Sequence, residues 1–381
     1  MHDTTETREA SLSEIALVFL KLGTVAFGGP AAHLAMMEEE FVRRRLWVTE
    51  AEFLDRLAAA NLIPGPSSTE VAIFVGQLKR GWRGLIVAGS CFIIPAATIV
   101  SLIAWAYVRF GALPRAEGAL YAIKPVVVAI VVQALGKLAR TGLKAPLLAL
   151  IAGLAAVLFL SGLSPILVLA IAGAVAAASI GMKNRLTTIA LFAPSSMLGL
   201  AAPMVASAVP FALGQLFLSF LKIGSVVFGS GYVLLPFVRS EFVERLHWLT
   251  DQQLLDAVAV GQFTPGPVFT TATFIGFVVG GWLGAAGATA GIFLPGFLLV
   301  AASGPLIPRI RRSPIASAAL DGVIAASLAL MAVVTWQLGK AALVDRLTLA
   351  IFLVSAAVLF RLKINSAWLI VAAGIIGWIL R

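Results

Sequence analysis

The chain has 381 residues, 60% of them apolar and 12% charged, with a mean hydropathy of +1.00. Soluble domains carry about 25% charged residues, so a soluble enzyme or binding module is excluded and a polytopic membrane protein remains. The formal net charge of +10 sits mainly in short gaps between apolar segments, which fits topology control and excludes a nucleic-acid face.

Residues 1–12 form a polar N-terminal tail. The first fifteen residues hold one Arg against one Asp and three Glu, the wrong sign for a secretory signal, so the first helix is expected to be retained. Apolar segments follow near 13–36, 53–79, 84–108, 117–139, 145–160 and 163–181, and a second set near 204–237, 252–280, 282–304, 315–339, 343–360 and 364–380. Spanning helices need roughly 20 apolar residues each, so on the order of ten are available.

The two sets match in residues as well as order. Phe19-Leu20-Lys21-Leu22-Gly23 returns 201 positions later as Phe220-Leu221-Lys222-Ile223-Gly224, and Phe27-Gly28 as Phe228-Gly229. Glu40-Phe41-Val42 and Trp47 return as Glu241-Phe242-Val243 and Trp248, and Pro64-Gly65-Pro66 as Pro265-Gly266-Pro267. Later the spacing is 200, as for Gly81-Trp82 with Gly281-Trp282 and Pro95 with Pro295. A tandem repeat follows, with one unit over 13–190 and a second over 204–381.

Each Pro-Gly-Pro interrupts an apolar segment, where it cannot continue a helix. The arms 53–63 and 67–79 are about 11 and 13 residues long, or ~16–20 Å as helices against a ~30 Å hydrocarbon core. A re-entrant hairpin with its tip near the midplane fits better than two crossings; a tight external loop between short tilted crossings is the plainer alternative. Counting the first segment as one crossing gives five crossings per unit, and an odd number inverts the second. Basic residues agree: Lys79, Arg80 and Arg83 flank Gly81-Trp82, whereas Gly280-Gly281-Trp282-Leu283-Gly284 carries no charge and Arg309, Arg311 and Arg312 mark the next gap. The positive-inside rule then places both termini outside. The expected fold class is an all-α polytopic membrane protein of two inverted-topology repeats, each with about five crossings plus a re-entrant hairpin.

The chemistry gathers at the interruptions. Asn61, Pro64, Gly65, Pro66, Ser67, Ser68 and Thr69, with Gln262, Pro265, Gly266, Pro267, Thr270 and Thr271, place hydroxyl residues where helices start. A helix start offers unpaired N–H groups and about +0.5 of effective charge, and two such starts at the midplane make an oxyanion site. The first tip is the more polar of the two. Phe27, Gly28, Gly29 and Pro30, with Phe228 and Gly229, break the preceding helices, although glycines also serve helix packing. Lys21 and Lys222 lie seven residues before Gly28 and Gly229. They supply charge to a ligand, or else snorkel to water. His33 can hydrogen-bond an anion, but Leu234 stands in its place in the second unit. Glu70, just inside the outgoing helix, is a proton-coupling candidate, while Glu40 and Glu241 read as solvated salt-bridging groups. With three His and one Cys, no metal cluster, cofactor site or phosphate-binding loop is visible, and no enzyme chemistry is expected.

Phe27-Gly28-Gly29-Pro30 with His33, Phe41-Val42, Trp47, Pro64-Gly65-Pro66 and Gly76, and in the second copy Phe228-Gly229, Glu241-Phe242-Val243, Trp248 and Pro265-Gly266-Pro267, resemble the chromate ion transporter family in its long two-domain form. The resemblance covers nearly the whole chain, departing at Ser230-Gly231 and Leu234. It implies a multi-pass protein of the bacterial inner membrane that exports chromate, with sulfate as a look-alike dianion, and an association with chromate resistance. The implied partners are the oxyanion and the lipid bilayer, with no nucleic acid and a homodimer as a candidate assembly. A passive oxyanion channel and a non-transporting membrane scaffold are the alternatives.

Overall fold

The computed structural model describes residues 9–27, 29–111, 113–181, 210–229, 231–362 and 366–380. The expected boundary between the units, 190–204, lies outside them. Among the described residues the secondary structure is helical apart from two strands of two residues each. Ser67–Phe110, Pro114–Gly142, Val268–Ser303 and Pro314–Ala342 are long and apolar enough to cross a membrane, with shorter apolar helices beside them. The protein is an all-α, multi-pass membrane protein.

Helix α1 (Leu12–Val25) starts at Ser11, whose Oγ accepts from the Glu14 amide at 3.1 Å. After the break, α2 (Gly29–Glu38) runs on into a π-helical turn, Glu39–Arg44. Arg45 Nη1 then reaches Glu14 Oε1 at 2.8 Å, and the Phe19 and Phe41 rings lie 5.1 Å apart. The chain is back beside its starting point. This corrects the expected single crossing at 13–36: the segment is a hairpin, and the start of α1 shares a rim with Arg43–Arg45 instead of lying opposite it. The reason is electrostatic, because Glu38–Glu40 and Arg43–Arg45 are costly inside hydrocarbon and the break returns them to a polar rim.

Thr49 and Glu52 form a capping box that opens α3 (Glu50–Ala60). The tip carries strand β1 (Gly65–Pro66), and α4 (Ser67–Phe110) begins immediately after it. Non-helical backbone at Arg80–Gly81 divides α4. Arg80 Nε donates to the Ala10 carbonyl at 2.6 Å, so the first arm of α4 also ends at the rim where α1 begins. Beyond the kink α4 runs to Phe110, and a short turn leads into α5 (Pro114–Gly142), α6 (Pro146–Leu160) and α7 (Pro165–Gly181).

The later residues repeat this order. Helix α8 (Leu213–Gly224) leads to strand β2 (Phe228–Gly229), a 3-10 turn (Gly231–Val233), α9 (Leu234–Val238) and a π-helical turn (Arg239–Arg245). A capping box of Thr250 and Gln253 opens α10 (Asp251–Phe263). A second 3-10 turn precedes α11 (Thr271–Arg312), kinked at Gly280–Gly281, and then come α12 (Pro314–Ala342), α13 (Arg346–Arg361) and α14 (Ser366–Leu380). Phe220 and Phe242 stack at 4.7 Å at the place where Phe19 and Phe41 meet at a tilt.

Two bundles result. In one, α1 lies along α4, α8 along α11, and α4 against α11. Gly23 touches the backbone of Phe92 and Gly224 that of Ile292, the close small-residue packing by which helices associate without a hydrophobic drive in lipid. In the other, α7 lies along α12 and α14 along α5, with α6 and α13 beside them. Gly142 rests on Ile324 and Leu328, and Gly339 on Val128, so α5 and α12 run antiparallel.

Candidate functional site

The breaks and tips meet crosswise. The Gly65 amide donates to the Val227 carbonyl at 2.7 Å, and β1 pairs in parallel with β2, Gly65 opposite Phe228 and Pro66 opposite Gly229. Reciprocally, the Gly266 amide donates to the Ala26 carbonyl at 2.9 Å. Each tip thus supplies the partner that a broken helix of the other unit lacks, which is how irregular backbone is tolerated at membrane depth. Glycine is needed at both tips. Gly65 has φ +138° and Gly266 φ +83°, and a Cβ on Gly266 would lie 2.5 Å from that of Ala96.

Side chains brace the first tip. His33, buried on α2, places Nε2 3.0 Å from the Ala26 carbonyl and Nδ1 3.3 Å from Ser68 Oγ. A carbonyl only accepts, so Nε2 carries the proton, and in the neutral ring Nδ1 accepts from the serine. Ser67 Oγ donates to Asn61 Oδ1 at 2.9 Å. At the second tip Tyr232 Oη donates to Gln262 Oε1 at 2.9 Å, while Thr270 and Thr271 turn their hydroxyls back onto the Pro267 and Val268 carbonyls. Pro265, Gly266 and Pro267 are buried, whereas Pro64 is half-buried and Asn61 exposed.

Directly behind the first tip lies Glu70, with no exposed surface and no hydrogen-bond partner for either carboxyl oxygen; the Thr69 hydroxyl is unpartnered too. Its Oε1 lies about where a Cβ on Gly65 would be, and 4.0 Å from the Cβ position of Gly296 on α11. The group therefore spans from the tip of one unit to a helix of the other. An ionised carboxylate there, unpaired, costs several kcal/mol.

A cavity of about 530 Å³ lies beside the first tip, lined by Asn61 and Phe228 and by Thr141, Lys144, Asp321 and Ser327. Its wall is the C-terminal end of α5 and the N-terminal half of α12. Lys21 and Lys222 are not drawn to the tips: both lie on exposed faces of α1 and α8. Burial pushes the Glu40 carboxyl up, but Arg45, Lys21 and Arg44 hold it below the usual carboxylate range. At Glu241 burial is likewise outweighed by Arg245, Ser219 and Lys222. Phe27 is exposed, Gly29 and Pro30 open α2, and Gly28 lies outside the described residues.

Sequence reasoning missed the carbonyls of Ala26 and Val227, Tyr232, the cavity wall and a cluster away from the tips. In that cluster Lys124 Nζ lies 3.6 Å from Asp256 Oδ1, and Tyr107 Oη donates to Asp256 Oδ2 at 3.0 Å. Ionisable residues inside apolar segments were the available signal. Among the described residues no group of three or more His, Cys, Asp or Glu gathers as a metal site.

Broken helices joined at their breaks, with a cavity leading to them, define a multi-pass membrane transporter. The chromate transporter family profile matches residues 13–178 and again 214–378, and the chain belongs to that family. It is 33% identical to the chromate transport protein of Cupriavidus metallidurans, over 96% of this chain and 92% of that one. It is also 33% identical to a probable chromate transport protein of Synechococcus elongatus, over 96% and 95%, and 28% identical to an uncharacterized transporter of Methanocaldococcus jannaschii, over 97% and 94%. No solved structure matches the chain.

Proposed function

We propose that this protein is a secondary transporter exporting chromate, or a related tetrahedral oxyanion such as sulfate, across the bacterial inner membrane by alternating access of two inverted halves. The observation that carries the reading is the reciprocal bonding of the tips, Gly65 to Val227 and Gly266 to Ala26, which makes one site from both halves. The antiparallel run of α5 and α12 supports inversion, and the double family match supports a repeat. Since the first segment turns back, the crossing count that joins the halves rests on residues 182–209, outside the described residues.

The anion rests at the floor of the cavity, near Asn61, Phe228 and the first turn of α4, where Ser67, Ser68 and Thr69 sit at a helix N-terminus. Glu70 carries the coupled proton, and in its protonated form it can donate a hydrogen bond to the anion. Lys144 lines the cavity, Lys137 and Arg140 precede it at the end of α5, and the positive-inside rule makes that face cytoplasmic. A cavity open there loads cytoplasmic anion, as export requires. The contacts of Asp256 with Lys124 and Tyr107, which tie α10 to α5 and α4 on the opposite face, argue against a passive channel.

The test is transport in proteoliposomes with chromate, sulfate and molybdate, with and without a pH gradient. Saturable chromate flux that responds to the gradient is expected. Flux that rises linearly with concentration and ignores the gradient would favour the channel; no flux and no oxyanion binding would favour the scaffold.

A further inference from the structure

Equivalent helices of the two halves have unequal neighbours. Helix α10 packs against α5, α12 and α14, whereas α3, its counterpart, packs extensively on α4 alone. Beside the C-terminal end of α3 lies the cavity lined by Asn61, Lys144 and Asp321. On the opposite face α10 is pinned to its neighbours. Asp256, 2% exposed, is ion-paired with Lys124 of α5 at 3.6 Å and accepts from Tyr107 of α4 at 3.0 Å, and Gln252 Nε2 donates to the Ala341 carbonyl of α12 at 2.6 Å. Asp256 belongs to the second half and both of its partners to the first, so the cluster ties the hairpin of one half to the spanning helices of the other.

The repeat spacing tells what the same closure would look like on the cavity face. Asp256 corresponds to Asp55, Lys124 to Ile324, Tyr107 to Ile307, Gln252 to Ala51 and Ala341 to Thr141. Neither the cation nor the phenol has a counterpart. Asp55 keeps its side chain 45% exposed, and Ile324 and Thr141 line the open cavity. A buried ion pair is costly to desolvate and a poor source of static stability, but its loss is strongly felt when one partner is removed. That suits a contact that is made in one state and broken in another.

We propose that Tyr107, Lys124 and Asp256 form a gate on the face opposite the cavity, an ionic latch whose phenol and cation are replaced by Ile307 and Ile324 in the repeat. This rests on the alternating-access reading. Opening that face breaks the latch while α3 swings toward α5 and α12, bringing Ala51 up to Thr141. The two states are therefore held differently: one by an ion pair, the other by apolar contact around Ile307 and Ile324.

The experiment is pairwise cross-linking of the full chain in membranes, on a Cys91→Ala background, with no anion added. Gln252→Cys/Ala341→Cys is expected to link readily and Ala51→Cys/Thr141→Cys slowly. Adding Asp256→Asn should raise the second rate at least about fivefold and lower the first, a population shift toward the other state. Tyr107→Phe, which removes one hydroxyl, should shift both rates the same way by less. The charge swap Lys124→Asp/Asp256→Lys should restore the original rates. Rates unmoved by both Asp256→Asn and Tyr107→Phe, or both cysteine pairs linking within one molecule, would overturn the gate. Chromate flux read separately divides the two ideas. Flux with indifferent cross-linking sinks the gate alone, and responsive cross-linking without flux sinks the substrate and leaves the gate standing.

Discussion

The amide of Gly65 lies 2.7 Å from the carbonyl oxygen of Val227, so the tip of the first hairpin is held by a helix break of the other half. The reciprocal bond, Gly266 to Ala26 at 2.9 Å, makes the two tips equally dependent on their opposite partners. Substitution at either should therefore damage a site shared by both halves.

Gly266→Ala puts a methyl group 2.5 Å from the Ala96 Cβ at a backbone φ of +83°. Left-handed strain alone costs about 1–3 kcal/mol, and the overlap adds to it. Purified variant protein is expected to unfold at a lower temperature and to lose chromate flux at equal membrane levels. Gly65→Val, whose Cβ would overlap the Glu70 carboxyl, should abolish flux as well. Normal flux in both would remove the tips from the site.

Glu70→Gln keeps the shape of a side chain whose carboxyl oxygens have no partner, so thermal stability should shift by less than about 1.5 kcal/mol. The change removes the titrating group that the proposed function assigns to coupling. Proteoliposomes carrying the variant are expected to lose the response of flux to a pH gradient; an unchanged response would assign coupling elsewhere.

Glu40 has its carboxyl held below the usual range by Arg45, Lys21 and Arg44 against the opposing effect of burial. A group with a depressed folded value stabilises above its ordinary value, here 4.5, and that contribution is lost as pH falls through the folded value. Melting in detergent should therefore drop as pH falls below the ordinary value and through the folded one, and drop less in Glu40→Gln. Identical pH profiles would show that the pair contributes nothing.

Lys21→Ala and Lys222→Ala test whether the exposed lysines belong to the rim. Each lies in the field of a carboxylate, Glu40 or Glu241, and neither reaches the tips. Chromate flux is expected to fall less than about threefold, consistent with a loss of under 1 kcal/mol at an exposed site. Abolished flux at normal protein levels would return them to the anion site.

The paired Pro-Gly-Pro tips were legible in the sequence because proline and glycine fix backbone conformation locally, and the copy 201 positions on marked them as a set. His33 was singled out for its place after Gly28-Gly29-Pro30, and its bonds to Ala26 and Ser68 make it a brace of the first tip. The hairpin of α1 and α2 was not legible: residues 13–36 are long and apolar enough for a crossing, and the return shows only in contacts such as Glu14–Arg45 and Phe19–Phe41. Nor was the crosswise bonding of the tips, since Gly65 and Val227 are far apart in sequence and joined through backbone atoms that every residue carries. Lys124 and Asp256 were each visible as ions in apolar stretches, but their pairing needed the packing of α10 on α5.

The bond from Gly65 to Val227 also sets an order of events during synthesis. When the first hairpin emerges, the carbonyl that will receive its glycine amide has not yet been made, and Ala26 likewise waits for Gly266. The first hairpin must enter the bilayer with its tip unsatisfied, at a cost of about 1–3 kcal/mol for the stranded group, or stay near the wet rim until the second break arrives. The two tips are thus joined only after the second break has been made, and a chain truncated before residue 227 would be left with a first tip that has nothing to close upon.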